Sequence, residues 1–125
     1  MAKRKKVTDD TEILSDTIIK GLQEKKAKDI VVLDMRALPN TVCEKFIICT
    51  GDSNTHVDAL SGSAEEMVRK ELAEKPWHVE GVSNSEWILM DYVNIVVHIF
   101  QPEARTFYNL ENLWADAEIT RIQDL

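Results

Sequence analysis

The stretch KDIVVLDMRALPNTVCEKFIICTG, Lys28 to Gly51, decides the fold. It holds two short, β-branched and almost unbroken apolar runs, Ile30 to Leu33 and Phe46 to Cys49, separated by the turn-like Leu38-Pro39-Asn40-Thr41. A strand with one wet face alternates apolar and polar residues, whereas continuous runs of this length mark strands covered on both faces. Such a sheet needs helices to cover it, and the flanking sequence supplies them. Upstream, Ile13, Leu14, Ile18 and Leu22 recur every three or four residues, between the acidic Asp9, Asp10 and Glu12 and the basic Lys25, Lys26 and Lys28. That charge order suits a helix dipole. Downstream, Ser53 or Asn54 opens a second helix through Val57, Leu60, Ala64, Met67, Val68 and Leu72, and Pro76 enforces its end.

Three strand-like segments follow, WHVEGV, EWILMDY and NIVVHIF, the last two so close that a hairpin near Val93 and Asn94 is the simplest connection. Pro102, with Glu103 behind it, starts a third helix carrying Phe107, Leu110, Leu113 and Trp114 on one side. The order α-β-β-α-β-β-β-α predicts an α/β fold, a single-domain mixed β-sheet of about five strands packed against helices. Residues 9–114 form this unit. Residues 1–8 read as a basic, flexible tail, and residues 115–125, with Ile119, Ile122 and Leu125 at helical spacing in an acidic segment, as helical or frayed.

A length of 125 residues suits one domain, and 44% hydrophobic with 30% charged residues is the composition of a globular chain. The net charge is −7; Lys3, Arg4, Lys5 and Lys6 carry +4, so everything else stands at −11. An acidic body disfavours broad phosphate binding and favours a basic partner. The short basic tail reads first as a solvated terminus, with rRNA contact through it at most peripheral. MAKRKK leads into no apolar leader, and no run approaches the ~18 apolar residues of a membrane span. The expectation is a cytoplasmic protein without membrane contact, its Cys49 a small buried thiol and both Cys43 and Cys49 reduced.

Catalytic signals are sparse. Thr50-Gly51-Asp52-Ser53, between strand and helix, resembles the turn that holds nucleotide phosphates in nucleotidyltransferases. That chemistry also needs paired strand carboxylates to hold two metals. Asp34 is followed two residues on by Arg36, and Asp91 by Val93, so neither offers the second acid. The turn then reads as a tight connection with Ser53 or Asn54 capping the helix. None of His56, His78 and His98 is locally paired with a nucleophile; His98, inside an apolar run, reads as a neutral, hydrogen-bonded histidine and His56 as part of the turn. No metal ligand set and no cofactor is indicated. What stands out is the aromatic and apolar content of the hairpin, Trp87, Met90 and Tyr92 beside Asp91, with Trp77 and Glu80 on the preceding strand. These residue types concentrate at protein interfaces. Alternation puts Trp87, Leu89 and Asp91 on one face and Ile88, Met90 and Tyr92 on the other.

Taken together, DIVVLDMR, FIICTGDSNTHV, EGVSNSEWILMDY, NIVVHIF and EARTFYNLENLW resemble, in order and spacing, the ribosomal silencing factor family, also called Iojap-related or RsfS proteins. The matching residues include Asp34, Thr50, Gly51, Ser53, His56, Val57, Glu80, Gly81, Trp87, Asp91, His98, Arg105, Tyr108, Leu113 and Trp114. The resemblance implies a nucleotidyltransferase-like sandwich that binds rather than catalyses. It further implies a translation repressor that attaches to ribosomal protein fourteen of the large subunit and sterically blocks subunit joining under nutrient limitation. It points to Glu80, Trp87, Met90, Asp91 and Tyr92 as the residues that bind the ribosomal protein, a surface that weak self-association into a homodimer would share. The alternative is a nucleotide-using enzyme built on Thr50 to Ser53. One departure concerns the hairpin: the family commonly has Gly-Asp where this chain has Val93-Asn94, so a turn built on positive φ is expected to change and splay the strands.

Overall fold

The computed structural model describes the backbone of residues 2–41 and 43–124, with side chains from Asp10 onward apart from Val42. Six strands form one sheet: β1 (Lys28–Asp34), β2 (Lys45–Thr50), β3 (His78–Glu80), β4 (Trp87–Asp91), β5 (Ile95–Phe100) and β6 (Glu118–Arg121), in the order β3-β4-β5-β2-β1-β6. Only β2 and β5 run parallel; every other pair is antiparallel. This is the mixed α/β sheet expected, with one strand more. The two parallel strands sit in the centre and are buried along their whole length, as their unbroken apolar runs require.

Two long helices, α1 (Ala2–Glu24) and α2 (Asn54–Leu72), cover one face. Leu14, Ile18 and Leu22 of α1 and Val57, Leu60, Ala64 and Val68 of α2 pack there on Ile30, Val32, Ile47, Cys49, Ile88, Met90, Tyr92, Ile95, Val97 and Ile99. Ile13, grouped with them by periodicity, is exposed instead. The helix begins at Ala2, so the segment read as a flexible tail is helical in backbone; contact of its basic side chains with rRNA lies outside the described residues. An ion-pair cluster holds α1 to the sheet: the buried Lys45 ammonium donates to Glu12 at 2.8 Å, and Arg36 bridges Glu12 at 3.2 Å and Asp34 at 2.6 Å. The helices meet closely at Gly21, where an added Cβ would lie 2.8 Å from Ala64 Cα, and Ser63 Oγ donates to the Gly21 carbonyl at 2.7 Å.

The opposite face is covered by two short helices, α3 (Pro102–Tyr108) and α4 (Leu110–Leu113). Sequence spacing predicts one helix here. Asn109, at φ 47°, ends the first and starts the second, and of the four residues expected on one side only Leu110 and Trp114 pack on the sheet while Phe107 and Leu113 are exposed.

The C-terminal segment is neither helical nor frayed: Glu118–Arg121 pairs with Asp34–Val31 of β1, and Ile122 N–H donates to the Ile30 carbonyl at 2.8 Å. The exposed edge of β1, with backbone groups that need partners, overrides the weak three-residue spacing of isoleucines. The hairpin also differs from expectation. Its strands stay in register from Trp87↔Phe100 to Asp91↔Val96 without splaying, because Val93 itself adopts φ 78°. Asn94 N–H donates to the Tyr92 carbonyl and Val93 N–H to Asp91 Oδ1 at 2.7 Å, locking the turn around a strained β-branched residue.

Three substitutions test these features by denaturant midpoint. Gly21→Ala should destabilise by ~1–3 kcal/mol through overpacking. Gly62→Ala, on α2 with nothing within 4 Å of an added Cβ, should stabilise by ~0.5–1 kcal/mol through helix propensity. Val93→Gly should stabilise by ~1 kcal/mol, relief of the positive φ outweighing the added chain entropy of glycine.

Candidate interaction surface

Strand register fixes which side chains share the face opposite α1 and α2. Across β3, β4, β5, β2 and β1 one row reads His78, Asp91, Val96, Phe46, Leu33; the next reads Glu80, Leu89, His98, Ile48, Val31. Trp87 lies opposite Phe100, beside Thr50. At the β1–β2 end the face is closed: Val31, Leu33, Met35, Phe46, Ile48, Val96, Phe100 and Ala117 are buried, with Leu110 and Trp114 packed against them. Towards β3 and β4 the cover stops. Trp87, Leu89 and Asp91 are half-buried, and His78 and Glu80 are exposed.

Aromatic rings tie the closed and open parts together. Phe46 makes edge contacts with Trp114 (5.9 Å between centroids) and His98 (4.5 Å). Trp87 stacks on Phe100 at 5.0 Å and lies 4.6 Å from Tyr108. Phe107, 80% exposed, stands edge-on to Tyr108, which is itself exposed, and Leu113 is 70% exposed. Arg105 anchors this flank to the sheet: its guanidinium donates to the Asp29 carbonyl at 2.6 Å, to Thr50 Oγ1 at 2.8 Å, and through two nitrogens to both Glu111 carboxylate oxygens.

Of the five residues expected to bind a ribosomal protein, the structure brings three to this surface: Glu80 and Asp91 at the rim and Trp87 at the centre. Met90 and Tyr92 are corrections. Both point to the helix-covered side, Met90 fully buried with Ser61 Oγ 3.7 Å from its sulfur. Burial pushes the Tyr92 phenol up, and its hydroxyl has no hydrogen-bond partner among the described residues. Alternation separates them from Trp87, and because α2 covers their side they are core. The sequence reading put weight on the hairpin and missed Leu89 and the exposed Phe107; the signal for Phe107 was an aromatic pair in a helix too short to bury both rings.

Other candidate chemistry resolves into structure. Ser53 Oγ caps α2 by accepting His56 N–H at 3.1 Å; Asp52 N–H donates to His56 Nδ1 at 2.8 Å, which leaves Nε2–H to donate to the Lys25 carbonyl at 2.7 Å. With Thr50 taken by Arg105, the polar side chains of the turn serve one another. Asp34 shares the α1 side of the sheet with Ile30 and Val32, whereas Asp91 lies on the other side, two strands intervening. They are separated by ~14 Å along the sheet and cannot face a common metal. The Arg36 guanidinium holds the Asp34 carboxyl below the usual range. Burial pushes the Cys43 thiol up to about 11 and that of Cys49 to about 12, as unreactive thiols. Among the described residues no helix is long and apolar enough to cross a membrane.

The sequence profile of the family described as "Ribosomal silencing factor during starvation" matches residues 8–125. The chain belongs to this family. A ribosomal silencing factor of Chromobacterium violaceum is 37% identical over 101 residues, 81% of each chain. The chloroplastic Iojap protein of Zea mays is 40% identical over 111 residues, 87% of this chain and 47% of that one. A crystal structure of a C. violaceum protein superposes with a TM-score of 0.78 at 34% identity, covering 83% of this chain and 85% of the other. Relatives thus carry the names of regulatory proteins rather than of enzymes.

This ribosomal silencing factor family member keeps one titratable ring inside the aromatic face. His98 is 4% exposed, accepts Trp87 Nε1–H at Nδ1 (3.1 Å), and by burial is held down to about 4. The folded form therefore binds fewer protons than the unfolded chain between pH 4 and 6.5, and stability falls as pH is lowered through that window. The loss attributable to His98 is ~3 kcal/mol. Unfolding free energies measured from pH 6.5 to 4.5 should slope downward in the wild type and be nearly flat in His98→Phe.

Proposed function

We propose that this protein attaches to the large ribosomal subunit through ribosomal protein fourteen, using the open part of the β4 face, and blocks joining of the small subunit by occupying the surface where the two meet. The observation that carries this reading is the uncovered patch itself. A family member leaves Trp87 and Leu89 half-open, extends them with Tyr108 and the exposed Phe107, and rims them with Glu80 and Asp91. Aromatic anchors inside a polar rim are the usual anatomy of a binding hot spot. The acidic body, at −11 once Lys3, Arg4, Lys5 and Lys6 are set aside, suits a basic protein lying on RNA, and such rim charges mainly speed encounter. Relatives named as silencing factors, and a mouse relative named for mitochondrial assembly of the ribosomal large subunit at 28% identity, agree with that partner class.

The test is co-sedimentation with purified large subunits, followed by a subunit-joining assay. Wild-type protein should pellet with large subunits, lower the fraction of joined ribosomes, and bind more weakly as salt rises. Trp87→Ala should weaken binding by ~2 kcal/mol, about thirtyfold. Met90→Ala should lower unfolding free energy by ~2–4 kcal/mol, while the fraction still folded binds as the wild type does. Unchanged joining at saturating protein would end this reading.

A further inference from the structure

Trp87 is the one large ring of the open patch that is attached to the interior by a hydrogen bond, and the residue that holds it is His98. An indole N–H only donates, so the 3.1 Å contact makes His98 Nδ1 the acceptor and places the imidazole proton on Nε2. His98 has no freedom to offer anything else. It is buried between β4 and β2, opposite Leu89 on one side and Ile48 on the other, with the Phe46 ring edge-on at 4.5 Å and the Phe100 ring nearly parallel at 6.2 Å. Its Nε2 finds no partner among the described residues. Burying an unpaired N–H costs free energy that an apolar side chain at this position would avoid, so the fold tolerates His98 at some expense. What the imidazole supplies in return is one acceptor, and Trp87 uses it.

We infer that His98 is a positioning residue for docking: by accepting the indole N–H it holds the Trp87 ring flat on Phe100 and against Tyr108, with one side left open for the partner. This rests on the binding surface proposed above. Without the acceptor, the indole N–H must turn out to water, and the ring leaves its stack on Phe100. A hot-spot aromatic that must first be ordered binds more weakly than one already in place.

The experiment uses the full chain with three readouts: unfolding midpoint at pH 7, the indole N–H signals in a ¹H–¹⁵N spectrum, and affinity for large subunits. His98→Phe keeps the ring and removes the acceptor. It should keep or raise the midpoint, shift the Trp87 indole proton upfield with faster solvent exchange, and weaken binding about tenfold. His98→Asn, whose Oδ1 branches from the same carbon as Nδ1, should lower the midpoint through lost packing yet restore the indole signal and bring binding back to within about threefold of wild type. In a Trp87→Phe background, which has no N–H to hold, His98→Phe should have no further effect on binding. Equal binding by wild type and His98→Phe overturns the proposal, as does equal weakening by the Phe and Asn variants or an additive effect in the Trp87→Phe background. If Trp87→Ala loses binding while His98→Phe retains it, the positioning role alone falls. If wild type and Trp87→Ala bind alike, the docking surface itself is wrong and this role falls with it.

Discussion

Everything in this molecule follows from the need to bury both faces of the two central strands. β2 and β5 are buried along their whole length, and they run parallel, so the chain must travel out and back between them. That excursion contains α2, β3 and β4. The long α2 returns over one face and, with α1, closes it. The other face receives only α3 and α4, whose combined length is too small to span six strands. The shortfall of helix on this side is what leaves Trp87 and Leu89 half-open.

The same constraint explains how much was legible beforehand. Uninterrupted apolar runs announce central strands whatever lies around them, so β1, β2, β5 and both long helices could be read directly, with the cap of α2 narrowed to Ser53 or Asn54, of which Ser53 serves. Residues whose role depends on a distant partner could not. Glu118 to Arg121 becomes a strand only because β1 has a free edge; nothing local to that segment competes strongly either way. Met90 and Tyr92 carry side chains as suited to an interface as Trp87. Their fate is set by parity on β4 together with the placement of α2, and parity alone separates them into groups without saying which group is covered. Phe107 was in view as part of a third helix, but its exposure depends on the break at Asn109, where a left-handed residue redirects the chain.

The turn after β2 shows why a phosphate-binding resemblance need not carry the chemistry. Its hydroxyls and carboxylate have a ready set of uses in a small fold: Ser53 caps the start of α2, Asp52 pairs with Lys28, His56 ties that turn to the loop after α1, and Thr50 receives Arg105. With Asp34 and Asp91 on opposite sides of the sheet, the acids that would make such a turn catalytic are directed away from each other. Arg105, bound to Glu111 and to two strands, is better understood as the brace that keeps the aromatic flank upright beside Trp87.

The pairing of β6 with β1 has a consequence for how the protein is made. The strand that begins the sheet stays without its outer neighbour until residues 118–121 have been made, because Val31 must wait for Arg121. Contacts this far apart in sequence are slow to form, and an exposed strand edge on a nascent chain is open to the wrong partners. Closing the β1 edge is therefore a late step of folding, set by a pairing between Val31 and Arg121 that spans most of the chain.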